Sequence, residues 1–372
     1  MKVCIIALVS PNQGGMFHYS LEFVKAISKY CETLVVVPKE SIDIYRNFQK
    51  VKVIPFTGNS RFKLFLFFLR IRKLVKKLKI DIIHDPIGPS KLFKPILGKV
   101  LLYKCAVVVT TIHDPTPHSG ISLLRRILIN IVTKINVFFS EGICVHDEEG
   151  KKTIMKLGCS KERVCVIHYA HSVFGENDKF IFTAPIVLFF GELRYNKGID
   201  RLIKIADIVY KEIPQVKFVV AGNNKVIEQH SHKLRDIIKK AIRTMKEKEY
   251  FEVIDRYVSE DEAKEFFTKA ALVVLPYRDA TQSGIVGIAY AFSKPVVATK
   301  VGGLTEIIVH GETGFLAEEN TEEEIAKYII KLLRNPELCK KMGKNAYQLY
   351  KTELSWDNSV KKIVEFYKKL TN

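Results

Sequence analysis

Short runs of β-branched and aliphatic residues alternate with helix-forming stretches along all 372 residues, and this alternation restricts the fold more than any other feature. Several runs are apolar at every position, as expected for strands that helices cover on both faces. Repeated alternation of this kind predicts parallel, doubly wound sheets in an α/β protein, and twelve strands suit two sheets better than one. The predicted strands are Val3–Val9, Thr33–Val37, Val51–Ile54, Asp81–His84, Ala106–Ile112, Gly142–Val145, Val164–Ile167, Ile186–Gly191, Lys217–Ala221, Phe251–Ile254, Ala271–Leu275 and Pro295–Thr299.

Chain length and composition fit two domains, because a chain of 372 residues that is 47% hydrophobic can bury two large cores. We place the boundary within the locally polar segment His171–Pro185. This predicts a first Rossmann-like domain over residues 1–172, a second over 185–354, and a C-terminal helix within 355–372. Doubly wound sheets bind ligands beyond the carboxyl ends of their strands, so functional residues are sought there.

Cysteine usage and hydropathy argue against two classes of protein. The seven cysteines are odd in number and scattered, and they form no C-x-x-C pair, unlike a disulfide-built secreted scaffold. No apolar run reaches the length of a bilayer span, and Val3–Val9 leads into a glycine turn rather than a cleavage pattern. We therefore expect a cytoplasmic protein. The sequence also contains no metal-ligand cluster, so we expect no bound metal.

Basic residues are concentrated in the first half of the chain. Residues 1–180 contain 28 basic and 14 acidic side chains, within a net charge of +19 for the whole chain. The helix predicted over Arg61–Ile80 has eight basic residues and no acidic ones beside an apolar stripe. A solvated helix face explains part of this pattern, and an anionic membrane surface is the second interpretation. Nucleic-acid binding ranks below both, because the sequence has no helix-turn-helix, RRM, KH or zinc pattern.

Two cations and two glycines follow one of the predicted strands. Gly191, Arg194, Lys197 and Gly198 lie within Phe190–Asp200, between a strand and a helix. Such a strand end suits a bound phosphate, because arginine offers a planar fork of donors and lysine a point charge. The alternative is a solvated turn with incidental charges, and this segment alone does not decide between them.

A second strand–turn–helix segment spans Leu275–Ala291. Its turn, Thr281–Gly284, opens an apolar helix whose first N–H groups are a natural seat for a diphosphate. The alternative to a diphosphate site is a purely structural role, because any βαβ unit needs small residues at such a turn. The donor-contact candidates of this segment are Gln282, Ser283 and Gly284. A double-glycine turn and Glu306 follow the next strand.

Together these segments resemble the donor-binding domain of the family 4 retaining glycosyltransferases, which have the GT-B fold. The resemblance covers nearly the whole second domain and is specific as a set. The family pattern is G-R-x(4)-K-G-x-D, then P-S-x(3)-E-x-F-G-x(4)-E-A-x-A-x-G-x-P-V-V-A, then G-G-x-x-E. The matching positions are Lys197, Gly198, Asp200, Pro276, Ala289, Ala291, Pro295 through Ala298, Gly302, Gly303, Glu306 and the tail Gly311–Leu316.

The sequence departs from the family pattern at three positions. The paired glutamates of the family, which contact the donor sugar and the ribose, fall on Ala280 and Ile288. The family arginine falls on Glu192, and Arg194 lies two residues later, before the same Lys-Gly pair. Hydroxyl contacts must then come from other residues, or catalysis is weak or absent. The replacement candidates are Asp279, Gln282, Ser283 and Glu306.

The first domain resembles the family more loosely. Gly14 and Gly15 follow the first strand like the family's glycine loop, where the backbone approaches the donor phosphates too closely for a Cβ atom. His18 lies beside this loop and is a candidate for acceptor binding. Asp81–Asp85 resembles a D-x-x-H strand of the family, in which we assign the histidine, His84, a mainly structural role.

A histidine and an aspartate end another strand of the first domain. Thr111–Pro115 resembles the family's H-D turn, whose histidine lies against the donor sugar. A catalytic role is favoured for His113 over a structural one, with Asp114 as an acceptor-binding candidate. His118 is a weaker candidate in the same loop, and no motif supports His146.

The resemblance implies a metal-independent retaining enzyme that moves a sugar from a nucleoside-diphosphate donor to an acceptor hydroxyl, with the nucleotide-sugar as substrate and no cofactor. A lipid-linked or cell-surface glycan acceptor would favour the membrane interpretation, with the protein peripheral on the inner face of the membrane. The C-terminal helix would pack back on the first domain. A sugar-nucleotide epimerase of the same fold and a non-catalytic homologue that binds a partner remain alternatives. The implied residues are His113, Arg194 and Lys197 for catalysis, Gly14, Gly15, Gly191, Gln282, Ser283, Gly284 and Glu306 for donor binding, and His18 and Asp114 for the acceptor.

Overall fold

A computed structural model describes residues 1–11, 15–56, 61–88, 102, 104–115, 123–167, 174–223, 232–280 and 283–372. The described residues divide into two compact units. The first takes in the chain up to residue 167 together with Trp356–Asn372, and the second takes in residues 174–355. Each unit is built on a single parallel sheet. The predicted α/β class, with two Rossmann-like doubly wound domains of the GT-B type, is confirmed.

The first unit contains a seven-stranded sheet in the order β3-β2-β1-β4-β5-β6-β7. Its central strands are buried along nearly their whole length, because helices cover both faces. The carboxyl ends of β4, β5 and β6 are adjacent, which brings the loops after them to one edge of the sheet. The strands are β1 Lys2–Ile6, β2 Glu32–Pro38, β3 Val51–Phe56, β4 Ile82–Asp85, β5 Val107–Thr111, β6 Gly142–Val145 and β7 Val164–Val166.

The second unit contains a six-stranded parallel sheet in the order β10-β9-β8-β11-β12-β13. One continuous apolar core surrounds it, and the side chains of β11 and β12 are fully buried. Strands β8, β11 and β12 are neighbours, so the three segments singled out in the sequence follow adjacent strands. The strands are β8 Ile186–Phe190, β9 Lys217–Gly222, β10 Phe251–Asp255, β11 Leu272–Leu275, β12 Val296–Thr299 and β13 Gly314–Ala317.

The helices of the described residues connect these strands and cover the sheets. None of them is both long and apolar enough to cross a membrane. Their bounds are α1 Gly15–Ile27, α2 Ile42–Arg46, α3 Arg61–Leu78, α4 Leu123–Phe138, α5 Glu148–Lys156, α6 Arg201–Glu212, α7 His232–Lys246, α8 Glu260–Lys269, α9 Gly284–Ala291, α10 Leu304–Ile307, α11 Glu322–Leu333, α12 Pro336–Leu349 and α13 Trp356–Thr371.

The last helix, α13, belongs to the first unit although it ends the chain. Tyr30, after α1, donates from its hydroxyl to the Oδ1 atom of Asp357 at 2.5 Å. The hydroxyl of Tyr367 hydrogen-bonds Nδ1 of the buried His84, whose Nε2 lies 2.8 Å from Oγ1 of Thr111. His84 is therefore held inside the core of the first unit, away from solvent.

Two details differ from the sequence prediction. The sequence predicts twelve strands, and the structure has a thirteenth, β13, which is only four residues long and begins with glycine. Ser259–Glu262 and Thr321–Glu324 both have the capping-box sequence, in which a hydroxyl and a carboxylate would satisfy N–H groups at a helix start. The box at Ser259 is present, but the one at Thr321 is incomplete. The Thr321 hydroxyl accepts a hydrogen bond from the backbone N–H of Glu324, as a capping box requires. The Glu324 carboxylate, however, accepts from the backbone N–H groups of Glu318 and Glu319 in the preceding turn and not from the helix start.

Candidate functional site

Residues from three loops of the second unit meet at the carboxyl edge of its sheet. The turn after β8 contributes Gly191, Arg194 and Lys197, and the turn after β11 leads to Ser283 at the start of α9. The loop after β12 leads into α10, which carries the exposed Glu306. Since β8, β11 and β12 are adjacent, the sheet alone brings these loops to one place.

Glycine is required at two positions of the turn after β8. Gly191 has φ of +123°, and a Cβ built there would lie 3.8 Å from the side chain of Ile285 in the first turn of α9. Gly198 has φ of +69°, and its Cβ would lie 2.0 Å from the carbonyl oxygen of Pro276. At Gly198 the turn therefore touches the backbone after β11 directly, because no side chain separates them, whereas at Gly191 it is the positive φ that favours glycine.

Lys197 is joined to the start of α9 through an aromatic ring. Its Nζ lies 3.8 Å from the centroid of the Tyr277 ring, in cation–π contact. The Tyr277 hydroxyl lies 3.3 Å from Oγ of Ser283, the buried residue that precedes α9. No carboxylate of the described residues pairs with Lys197. Its positive charge thus stays available beside a helix start whose first N–H groups lack acceptors within the helix.

Arg194 has a different environment from Lys197. Its guanidinium forms an ion pair through Nη2 with Glu192, the residue at the position of the family arginine. Its Nε is buried, and among the described residues it has no hydrogen-bond partner. A buried N–H without an acceptor is costly, so this donor is suited to an anionic partner.

A bidentate ion pair fixes the turn that carries Lys197. Arg278 donates from both terminal nitrogens to the two carboxylate oxygens of Asp200, each at 2.7 Å. Its guanidinium carbon also lies 4.0 Å above the ring of Tyr195. Asp279 accepts at 3.2 Å from the amide of Asn196 in the same turn. Asp200, a matching position of the family pattern, therefore works in this chain as an anchor for the turn.

Ala280 and Ile288, the two residues that the sequence resemblance sets at the positions of the family glutamates, are apolar. Ala280 is 9% exposed and Ile288, on α9, is 5% exposed, so both belong to the core. Of the predicted replacements, Asp279 and Ser283 are described by the structure, and Gln282 lies outside the described residues. Glu306 is the exposed carboxylate of the neighbouring loop.

In the first unit, His113 is held at both ring nitrogens. It follows β5, and its Nε2 lies 2.9 Å from the carbonyl oxygen of Pro86. Its Nδ1 lies 2.9 Å from Nε2 of His146, which follows β6. The ring also packs edge-on against Tyr19 of α1, with 4.7 Å between centroids. Burial lowers the pKa of His113, and the Pro86 carbonyl and nearby carboxylates oppose this effect only in part.

Gly15, His18 and Asp114 are the other predicted residues of the first unit that lie in the described part of the chain. Gly15 is the first residue of α1, and His18 is half-buried one turn further along, next to the Tyr19 that contacts His113. Asp114 is exposed beside His113. Gly14 and His118 lie outside the described residues. The structure therefore brings His18, His113 and Asp114 to one end of the first sheet.

Three residues important for this geometry had no role in the sequence prediction. Tyr277 and Arg278 follow β11 after Pro276, and their position at the end of a buried strand is a signal that could have singled them out. His146 follows β6, which neighbours the strand before His113, and only the sheet order shows that they meet. No group of three or more potential metal ligands was found among the described residues.

Family comparisons agree with this arrangement. The model for glycosyl transferases group 1 matches residues 176–349, and the model for glycosyltransferase family 4 matches residues 13–170. An uncharacterized glycosyltransferase of Methanocaldococcus jannaschii is 32% identical over 292 residues, which cover 74% of this chain and 79% of that protein.

Solved structures show the same fold at low sequence identity. HepE of Anabaena, in complex with UDP-glucose, superposes with a TM-score of 0.72 at 16% identity, over 98% of both chains. Sucrose-phosphate synthase of Thermosynechococcus elongatus gives a TM-score of 0.71 at 17% identity, over 100% of this chain and 99% of that one. With both halves matched by family models and a relative of 32% identity along most of its length, this chain belongs to the group 1 and family 4 glycosyltransferases.

Proposed function

We propose that this glycosyltransferase moves a sugar from a nucleoside-diphosphate donor to an acceptor hydroxyl with retention of the anomeric configuration and without a metal ion. The contact chain from Lys197 through Tyr277 to Ser283 is the observation that carries the proposal. These contacts hold the Lys197 ammonium, which has no carboxylate partner among the described residues, beside the N-terminus of α9. The ammonium and the first N–H groups of the helix together suit a diphosphate.

The reaction breaks the bond between the sugar C1 atom and the β-phosphate oxygen of the donor. A bond from C1 to the acceptor oxygen forms, and the acceptor proton leaves with the diphosphate. Negative charge therefore grows on the diphosphate as the C1–O bond breaks. Lys197, the first N–H groups of α9 and Arg194 would stabilise that charge through preorganised electrostatics, which requires no metal.

Arg194 would exchange partners when the donor binds. Its guanidinium pairs with Glu192, and its buried Nε has no acceptor among the described residues. A diphosphate oxygen would give Nε the acceptor that it lacks. Gly191 would allow the diphosphate close to the backbone of this turn.

The sugar and acceptor contacts are assigned to other residues that the sequence singled out in the two units. Ser283 and Gln282, with Glu306 and Asp279, would replace the contacts that the family glutamates make to the donor. His113 and the loop at Gly14 and Gly15 would position the sugar. His18 and Asp114 would face the acceptor. Because HepE of Anabaena was solved with UDP-glucose, UDP-sugars are the first donors to test.

We also propose that the first unit rests on an anionic membrane surface, where a lipid-linked or cell-surface glycan acceptor would be found. Helix α3 exposes Phe62, Phe65 and Leu66, with Phe62 69% exposed, and it has several exposed lysines and no acidic residue. Helix α4 also lacks acidic residues and exposes Ile131 and Phe138. Exposed apolar side chains beside unbalanced positive charge suit an anionic lipid surface.

Donor turnover with and without acceptor membranes tests the proposed reaction. A transferase releases nucleoside diphosphate faster when membranes carrying the acceptor are added, and it places the sugar on a membrane component. Release of nucleotide and free sugar without any acceptor would instead identify an epimerase-type activity. No turnover of a donor that binds would identify a non-catalytic homologue.

A further inference from the structure

Two cysteines face each other across neighbouring strands of the first unit. Cys144 lies on β6 and Cys165 on β7, and the register of this parallel pair sets the two side by side. Neighbouring strands lie about 4.8 Å apart, which falls within the range of about 4.4–6.8 Å between the Cα atoms of a disulfide. Directly paired residues also point to the same face of a sheet. Both cysteines are free thiols in the structure, so the fold sets two sulfurs opposite each other without a bond between them.

The two thiols differ in their access to solvent. Cys144 is fully buried on β6, with Thr111 of β5 as its neighbour on the other side. Cys165 is partly exposed, because β7 is the last strand in the order of the sheet. A small reagent from solvent therefore meets Cys165 first, and Cys144 then reacts with the modified Cys165.

Electrostatics assign the same order to the two sulfurs. The hydrogen bond between the thiols lowers the pKa of Cys165 and raises that of Cys144. Burial raises the pKa of both thiols, whereas the positive charges of Lys362 and Lys369 on α13 and of Lys151 on α5 lower the pKa of Cys165. Because the thiolate is the reactive form of cysteine, Cys165 is the nucleophile of the pair and Cys144 keeps its proton.

We propose that Cys144 and Cys165 form a redox site, in which hydrogen peroxide joins the two sulfurs in a reversible disulfide between β6 and β7. This site is separate from sugar transfer and belongs to the first unit alone. Its two thiols supply the two electrons that reduce one molecule of peroxide to two molecules of water.

The oxidation proceeds in two steps. The Cys165 thiolate attacks one peroxide oxygen, so that an S–O bond forms, the O–O bond breaks and hydroxide leaves. The proton that Cys165 gave up to solvent neutralises this hydroxide. The Cys144 sulfur then attacks the sulfenic acid of Cys165, so that the S–S bond forms and the S–O bond breaks. The departing hydroxide takes the Cys144 proton and becomes the second water.

The partner sulfur distinguishes this pair from other cysteines on the same chain. Cys4, on β1, is paired with Leu34 and Ile83, so its strand neighbours offer no second sulfur. Burial raises the pKa of its thiol to about 12, which leaves almost no thiolate. We therefore expect Cys4 to stay reduced under conditions that oxidise Cys144 and Cys165.

Peptide mapping of the folded wild-type protein tests the proposal. The reduced protein is treated with hydrogen peroxide, alkylated in denaturant, digested and analysed by mass spectrometry. We expect the peptide of Cys144 to be joined to that of Cys165, with five of the seven thiols still alkylated and all seven recovered after dithiothreitol. Absence of this link, or links among other cysteines at equal frequency, would overturn the proposal.

Three variants test the order of the two sulfurs. Cys144→Ser should stop at the sulfenic acid of Cys165, which dimedone traps, and Cys165→Ser should leave Cys144 unmodified. Cys105→Ser removes another partly exposed thiol and is the matched control, so it should form the same link as wild type. Oxidation of Cys144 in Cys165→Ser at the wild-type rate, or loss of the link in Cys105→Ser, would contradict the assignment. Donor turnover is not part of this test, so its outcome is independent of the proposed function.

Discussion

Replacing Lys197 with methionine removes one charge from the site and little else. Methionine keeps an unbranched stem over the Tyr277 ring, so the packing on that ring is largely preserved. The ammonium lies 3.8 Å from the ring centroid on a partly exposed side chain, and such a cation–π contact is worth about 0.5–1 kcal/mol. We therefore expect the free energy of unfolding to fall by no more than about 1 kcal/mol.

The effect on the reaction should be several times larger. Lys197 has no carboxylate partner among the described residues, so its charge is preorganised for an anion. Removing one preorganised group that stabilises developing charge costs about 10²–10³ in kcat, which corresponds to about 2.7–4 kcal/mol in the activation barrier. The loss of turnover in Lys197→Met, expressed as activation free energy, should therefore exceed its loss of stability by about 2–3 kcal/mol.

The assay combines nucleoside-diphosphate release under saturating donor with urea denaturation of each variant. Lys331→Met is the matched control, because Lys331 also lies over an aromatic ring, 4.9 Å from the centroid of Phe315, on helix α11. The control should keep wild-type turnover. Turnover of Lys197→Met within threefold of wild type, or a loss of the same size in Lys331→Met, would refute the role of Lys197.

Three further predictions concern backbone, surface and buried charge. Gly198→Ala should lower the free energy of unfolding by more than about 2 kcal/mol, since a Cβ would lie 2.0 Å from a carbonyl oxygen. Gly311→Ala, at φ of +82° with no atom within 4 Å, should cost only about 1 kcal/mol. Exchanging Lys73, Lys76 and Lys77 of α3 for glutamine should weaken binding to anionic vesicles at least tenfold in a sedimentation assay, because each charge contributes about 1 kcal/mol. The same change at Lys239, Lys240 and Lys246 of α7 is the control and should have little effect. Equal binding of the α3 variant and wild type would refute the membrane proposal. Burial lowers the pKa of Lys294 to about 8, below its value in the unfolded chain, so the unfolded state binds more protons than the folded state above pH 8. The free energy of unfolding of wild type relative to Lys294→Met should therefore rise by as much as about 3 kcal/mol between pH 8 and about 10.5. A difference in urea denaturation that stays constant across that range would contradict this.

Most of the fold follows from the sequence because buried parallel strands have a strong local signature. All twelve predicted strands are present, with ends shifted by a few residues at most. The exception, β13, is short and starts with Gly314, and its pairing with β12 comes from the sheet rather than from its own residues. The capping box at Thr321 is incomplete for a similar reason, because Glu324 is used by a turn that the local pattern does not show.

The candidate site could be predicted only where its residues belong to one contiguous motif. Lys197 and Ser283 were expected at strand ends, and the structure adds the Tyr277 ring that connects them. The partner of His113 was not predictable, because His146 is 33 residues away and meets it only through the order of β5 and β6. Contacts across neighbouring strands depend on sheet order and register, which a single sequence does not specify.

The proposed function depends above all on the second unit binding a nucleoside diphosphate through Lys197 and the start of α9. A thermal-shift panel of UDP, GDP, ADP, CMP and TDP with their sugar conjugates, run on wild type and Lys197→Met, tests it most directly. A ligand that binds the folded state raises the melting temperature by mass action. We predict a clear rise for at least one diphosphate in wild type and a smaller one in Lys197→Met. No rise with any ligand at millimolar concentration, or equal rises in the two proteins, would contradict the account.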